Sequence, residues 1–195
     1  PYMGGFARVT LAWKGRVDVN EALVSFELGF PMAYPLSSLK YFGPSAVEDF
    51  TLSGLLMGQQ SGGIGTAFGL GLIAGGLYLI LRGHMRWEIP ASFIAGLLVT
   101  AFLFQVANPA KYGSPFFHLL TGSTLLGAFF LAGDDSTSPV NRIPMMVVGA
   151  MGGFLTILIR NLGIYSDGVV FAILLMNISH PLLDKIRPKA LGKEK

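Results

Sequence analysis

Cysteine is absent from this sequence, which excludes disulfides, thiolate metal sites and Cys-ligated iron–sulfur clusters within the chain. Any redox centre held here is therefore an organic cofactor or a His-ligated metal. The three histidines are scattered without paired spacing and make no metal constellation. Charge is also scarce, with Asp, Glu, Lys and Arg at 13% of residues against a usual share of about a quarter. The chain has no nucleophile elbow, no phosphate-binding P-loop and no dinucleotide fingerprint, so ordinary soluble catalysis is not indicated. It also shows no repeat, no low-complexity tract and no signal peptide. Because it starts at Pro1, it is expected to begin inside a longer protein.

What is present points to lipid. Hydrophobic residues make up 52% of the 195, and the mean hydropathy is +0.58. Glycine, at 26 residues, has roughly twice its average share. Small residues let membrane helices approach one another closely. Five apolar stretches, 63–81, 89–107, 116–132, 143–159 and 169–183, are long enough to cross or nearly cross about 30 Å of hydrocarbon. Short connections punctuated by Gly or Pro separate them and read as tight turns between antiparallel helices. The expected fold is an all-α polytopic membrane helix bundle of about five complete spans. Its division is 1–62 (a partial helix over 6–13, an external loop around "FELGFPMAYPLSSLKYFGP", and a short interfacial helix in "VEDFTLSGLLMG"), then 63–184 (the bundle), then a basic tail over 185–195.

The net charge of +3 raises nucleic acid as a partner, but five of the fourteen basic residues lie in the last eleven positions, beside an apolar helix. That is a topology signal, and no nucleic-acid partner is expected. Arg82, Arg86, Arg142, Lys185, Arg187, Lys189, Lys193 and Lys195 fall on one side, whereas the opposite loops hold only Lys111 and Arg160. The basic side is read as cytoplasmic. The chain is then a multi-pass protein of the inner (cytoplasmic) membrane with its C-terminus inside the cell.

Several residues are candidates for chemistry. "SGGIGT", 61–66, lies at the mouth of the first complete span. Glycines opening a helix leave N–H groups free at the positive end of its dipole, which suits phosphate or another anion; close packing is the alternative use. Asp134 and Asp135 end the third span, either binding a cation or relaying protons, or forming a solvated turn with Ser136 to Ser138 as a cap. Arg160 ends the fourth span on the side poor in basic residues. It either snorkels to headgroups or pairs with an anion near the outer loop. In the last span Asn177, His180 and Asp184 share one helical face, within about 60° of one another, and Pro181 frees the Asn177 carbonyl. Asn177 is the deepest of the three and is expected to bond a neighbouring helix or to line an ion path. Asp184 reaches headgroup level beside Lys185 and Arg187. His118 and His84 have the bland reading of isolated structural histidines.

At these residues the sequence resembles a known family, NqrB/RnfD, whose members are membrane subunits of the sodium-pumping NADH:quinone reductase and of the Rnf electron-transport complex. "IRNLGIYSDGVVFAILLMNISHPLLDK" is similar to the family's closing signature. "FHLLTGSTLLGAFFLAGDDSTSPV" is similar to the family's helix that ends in an Ala-Thr-Asp-Pro-type turn and a Ser-Pro, matching at Asp134 and Pro139 and departing at Gly133 and Asp135, and "SGGIGTAF" resembles the family's Gly-Ser-Ile-Gly-Glu-Thr-Ser stretch. The likeness covers nearly the whole chain and implies that an N-terminal half with further spans lies outside it. It implies a membrane subunit of a redox-driven ion translocator, coupling electron transfer between ferredoxin, NAD(H) or quinone to Na⁺ or H⁺ transport. The partners implied are the complex's other membrane and peripheral subunits and the lipid bilayer.

The family attaches flavin mononucleotide (FMN) to a threonine of a Ser-Gly-Ala-Thr-Pro-Leu motif. "PMAYPL", 31–36, is the matching stretch and puts Tyr34 in the threonine's place, while Thr66 replaces the family's glutamate. The resemblance implies a cofactor site at Tyr34, Ser61, Gly62, Gly63, Gly65 and Arg160, and an ion path through Asp134 and Asn177. With the threonine gone, the flavin is expected to be held noncovalently or not at all. The rival readings are a flavin-free scaffold subunit and, further off, an independent secondary transporter with broken, Gly-rich helices.

Overall fold

Proline at the first helical position, where its missing N–H costs nothing, starts two helices of this chain. One is α1, Pro35–Phe42, which lies within the stretch expected to be an external loop. That expectation weighed the prolines as breakers, but Pro35 sits where proline favours a helix, and Gly43 at φ 82° ends it. The computed structural model describes residues 34–47, 50–63, 65–109, 111–133 and 141–183, and the partial helix expected over 6–13 lies outside them. Among the described residues every regular element is helical.

After α1 and a 3₁₀ turn, Pro44–Val47, comes α2, Leu52–Met57, whose Thr51 cap accepts from Gly54 N at 3.2 Å. Next are α3, Gly69–Leu81, and α4, Glu88–Ala107. The second proline-led helix is α5, Pro115–Leu120, capped by Ser114. Then follow α6, Thr124–Leu126, running on into a π-helical turn over Gly127–Leu131, and the two final helices α7, Arg142–Leu162, and α8, Val169–Leu183.

Only α4 and α7 among the described helices are long and apolar enough to cross a membrane by length and composition. They cover about 30 Å each at 1.5 Å per residue, whereas α3 covers about 20 Å. The stretch 116–132, expected as one span, is not one helix. It breaks at 121–123, where Gly122 takes φ 68°. The span expected over 63–81 also begins late, since residues 61–63 and 65–68 lie in turn and loop before Gly69.

α4 and α7 run parallel, because Arg142 Nε lies 3.5 Å from Glu88 Oε1 where both helices start. Glycine makes their contact close. A Cβ at Gly96 would overlap the Ala150 backbone, and one at Gly153 would overlap the Phe93 carbonyl and Leu97 N. Phe93, Leu97, Ala101, Ala128, Ile157, Val169 and Ile173 form a buried core between α4, α7, α8 and the π turn. A second cluster, with Leu36, Leu39, Leu55, Phe117, Leu120 and Leu125, lies under α1 and α2. Outward, Phe102, Leu103, Val106, Phe154, Leu174 and Ile178 are exposed, an exterior suited to hydrocarbon or to further helices.

Candidate functional site at a broken helix

The break in the third apolar stretch strands backbone carbonyls, and a buried charge satisfies them. α5 ends at Leu120, and Gly122 turns the chain before α6 resumes at Thr124. Into this gap reaches Arg160, from the last turn of α7 and only 3% exposed. Its NH1 donates to the His118 carbonyl at 2.7 Å. Its NH2 donates to the Thr121 carbonyl at 3.3 Å, Thr124 Oγ1 at 2.7 Å and Asp167 Oδ1 at 3.0 Å. Arg160 therefore does not snorkel to a headgroup. The anion it pairs with is a side chain of the chain itself, Asp167, a residue not among the sequence candidates.

Asp167 gathers the surrounding turns. Its Oδ2 accepts from Ser123 N at 2.8 Å and from Ser123 Oγ at 2.6 Å, and its Oδ1 accepts from Val169 N at 3.4 Å at the start of α8. Burial works against its charge. The Arg160 guanidinium and the Ser123 and Arg160 hydrogen bonds outweigh that and hold the carboxyl below the usual carboxylate range. Tyr34, at the cap of α1, completes the set. Burial, reinforced by the Asp167 charge and a hydrogen bond to that carboxylate, pushes its phenol up to about 12 against the pull of Arg160.

Lys40, in the last turn of α1, donates to the Gly163 carbonyl at 2.6 Å and the Tyr165 carbonyl at 2.7 Å. It thereby fastens α1 to the end of α7, and burial lowers its pKa.

The structure thus joins two of the sequence candidates, Tyr34 and Arg160, through Asp167. Ser61, Gly62, Gly63 and Gly65 are not brought to this pair; of that stretch only the preceding Gln60 reaches the broken helix. Gln60, 6% exposed, donates from Nε2 to the carbonyls of Leu55, Ala67 and Leu120, the last at 3.0 Å and belonging to the broken helix. The glycines themselves form a turn closed by Thr66 N on the Gly63 carbonyl at 3.0 Å, with Gly65 at φ 80°. They do not open a helix, so the dipole argument for an anion there falls away: α3 starts at Gly69.

Asn177 is half-buried on α8 and makes no side-chain hydrogen bond among the described residues, against the interhelical bond expected of it. Eight residues into α8 at 1.5 Å each, it stands about 12 Å along the helix from the Asp167 turn. Asp134, Asp184 and the side chain of His180 lie outside the described residues. His118 is 1% exposed, and its ring nitrogens have no hydrogen-bond partner among the described residues. No group of His, Asp and Glu able to hold a metal ion occurs among them.

The setting of Tyr34 does not suit a flavin phosphoester. Burial and the nearby Asp167 charge both raise the phenol's pKa, and a phosphate on that oxygen would sit against the same charge. Arg160 is committed to four acceptors.

Residues 1–192 match the model of the NQR2, RnfD, RnfE family. The chain belongs to this family. Proteins it is similar to include the D-type subunit of an ion-translocating oxidoreductase complex from Pectobacterium carotovorum subsp. carotovorum (strain PC1), 41% identical over 84% of this chain and 48% of the relative. The protein of that name from Cronobacter sakazakii is 41% identical over the same shares, and that of Escherichia coli (strain SE11) is 37% identical over 91% of this chain and 51% of its own length. The chain spans about half the length of the curated relatives it matches. Family membership agrees with the resemblance drawn from the closing signature at 159–185, and the Arg160–Asp167 site lies within the residues the family model matches.

Proposed function

We propose that this chain serves as a membrane subunit of an ion-translocating oxidoreductase complex, with redox cofactors in partner subunits and Na⁺ or H⁺ as the ion moved. The observation that carries the reading is membership of a family whose relatives are named as subunits of such complexes, in a chain whose α4 and α7 have the length and apolarity of membrane spans. The surplus of Lys and Arg at 82, 86, 142 and 185–195 supports a cytoplasmic C-terminus in the inner membrane. Asp134, at the end of the broken span, is the acid proposed to handle the ion. In vesicles carrying the assembled complex, Asp134→Asn is expected to reduce redox-driven ion uptake while electron transfer to an artificial acceptor persists. Uptake equal to the parent's removes Asp134 from the path, and uptake that survives deletion of the whole chain overturns the assignment.

A second reading, a scaffold without covalent flavin, is favoured by one specific observation: Tyr34, in the place of the family's flavin-bearing threonine, stands half-buried within the field of the Asp167 carboxylate. On this reading Tyr34 and the Ser61, Gly62, Gly63 and Gly65 turn hold flavin mononucleotide only by stacking and hydrogen bonds, or position partner subunits alone. The denatured, gel-separated chain is expected to show no flavin fluorescence. A fluorescent band at its mass would prove a covalent bond and end this reading.

A further inference from the structure

The oxygens at the helix break are arranged around a positive charge, and the charge there belongs to a side chain. Four acceptors surround the Arg160 head: the His118 and Thr121 carbonyls, Thr124 Oγ1 and Asp167 Oδ1, at 2.7 to 3.3 Å. Three are neutral and one is a carboxylate. Hard oxygen donors from unwound backbone, with one acid, are the donor set that proteins use for alkali cations where a helix is interrupted. The charge balance sets the valence, because one carboxylate is neutralised by one positive charge, and a divalent ion would leave a buried excess.

The Thr124 hydroxyl is held in place by the His118 carbonyl at 2.9 Å and the Thr121 carbonyl at 3.0 Å, so the oxygens are fixed independently of Arg160. A Cβ on Gly122 would meet Leu36, the Arg160 head and Asp167, so the turn closes tightly on the guanidinium. The surroundings keep unspent polarity. Arg160 Nε and both His118 ring nitrogens are buried with no partner among the described residues.

We propose that the break at 121–123 is a monovalent-cation site whose tethered occupant is the Arg160 guanidinium. While that head is seated, no mobile cation enters the break. With the head removed, the same oxygens take a small free cation, and guanidinium fits them best because the cage is already shaped to a guanidinium plane. This inference concerns binding and stands whether or not the chain takes part in ion translocation.

The test uses the full-length subunit purified in detergent, with thermal unfolding followed at rising, non-denaturing guanidinium chloride against NaCl and KCl of equal ionic strength. Arg160→Ala is expected to unfold several degrees below the parent and to recover saturably with guanidinium, as a ligand bound only by the native state requires. The parent, its site filled, is expected to show no such rise. A folded Arg160→Ala protein that responds no more than the parent overturns the proposal. Where Arg160→Ala yields no folded protein, Arg160→Lys and Arg160→Gln decide: a cation site makes the Lys variant the more stable. A Gln variant equal to it or better would show that hydrogen bonds alone hold the break, and would overturn the proposal equally.

Discussion

The least exposed charge in the described structure, Arg160, is tolerable because Asp167 and three neutral oxygens replace its hydration. Removing the acid leaves the guanidinium buried without its counter-ion. Asp167→Ala is therefore expected to destabilise the subunit by about 3–5 kcal/mol, read from detergent unfolding midpoints. The same acid sets a pH dependence. Its folded pKa lies below its unfolded value, so its contribution is complete above the ordinary carboxylate range and is lost only as pH falls through the lower folded value. Tyr34 has the opposite sign. Its contribution is complete below the ordinary phenol value of 10.0 and is lost as pH rises through about 12. Tyr34→Phe is expected to decline less than the parent as pH rises from about 10 to about 12, read from unfolding midpoints. None of this pairing was legible in the sequence. Arg160 stood out as a basic residue on the wrong side of the membrane. Tyr34 stood out through a family motif, but Asp167, only seven residues from Arg160, is far along the chain from Tyr34, and neither spacing nor hydropathy reports contacts across the chain.

At the scale of elements, the sequence was clearest where an apolar run and a helix coincide. The stretch read as 169–183 is α8 to the residue, and those read as 89–107 and 143–159 fall within α4 and α7. It was least clear at 116–132, because hydropathy averages over a break that only dihedral angles reveal. "TGST", 121–124, was the local signal, a glycine among hydroxyls inside an apolar run, whose carbonyls then need side-chain donors. Gly122→Ala tests the break directly. The left-handed conformation costs an alanine roughly 1–2 kcal/mol, and its Cβ would also lie 2.6 Å from Leu36 Cδ1 and 2.9 Å from Arg160 NH2. The expected result is a lower unfolding midpoint together with faster proteolysis at 163–168, the turn that Asp167 ties to Ser123.

For the molecule as a whole, glycine decides how closely the long helices meet. The sequence reading took its abundance as packing rather than flexibility, and the α4–α7 contact bears this out at Gly96, Gly149 and Gly153. Gly153→Ala is expected to cost about 1–3 kcal/mol, at the upper end because the obstacle is the backbone of α4 rather than a side chain that can turn away. Assembly yield and unfolding midpoint both report it. One further consequence follows from that contact. Two rods meshed main chain to main chain, and clamped where both begin by Glu88 and Arg142, cannot slide past each other without unmeshing. Among the described residues, relative movement is therefore expected in the shorter elements around that pair rather than between the two rods.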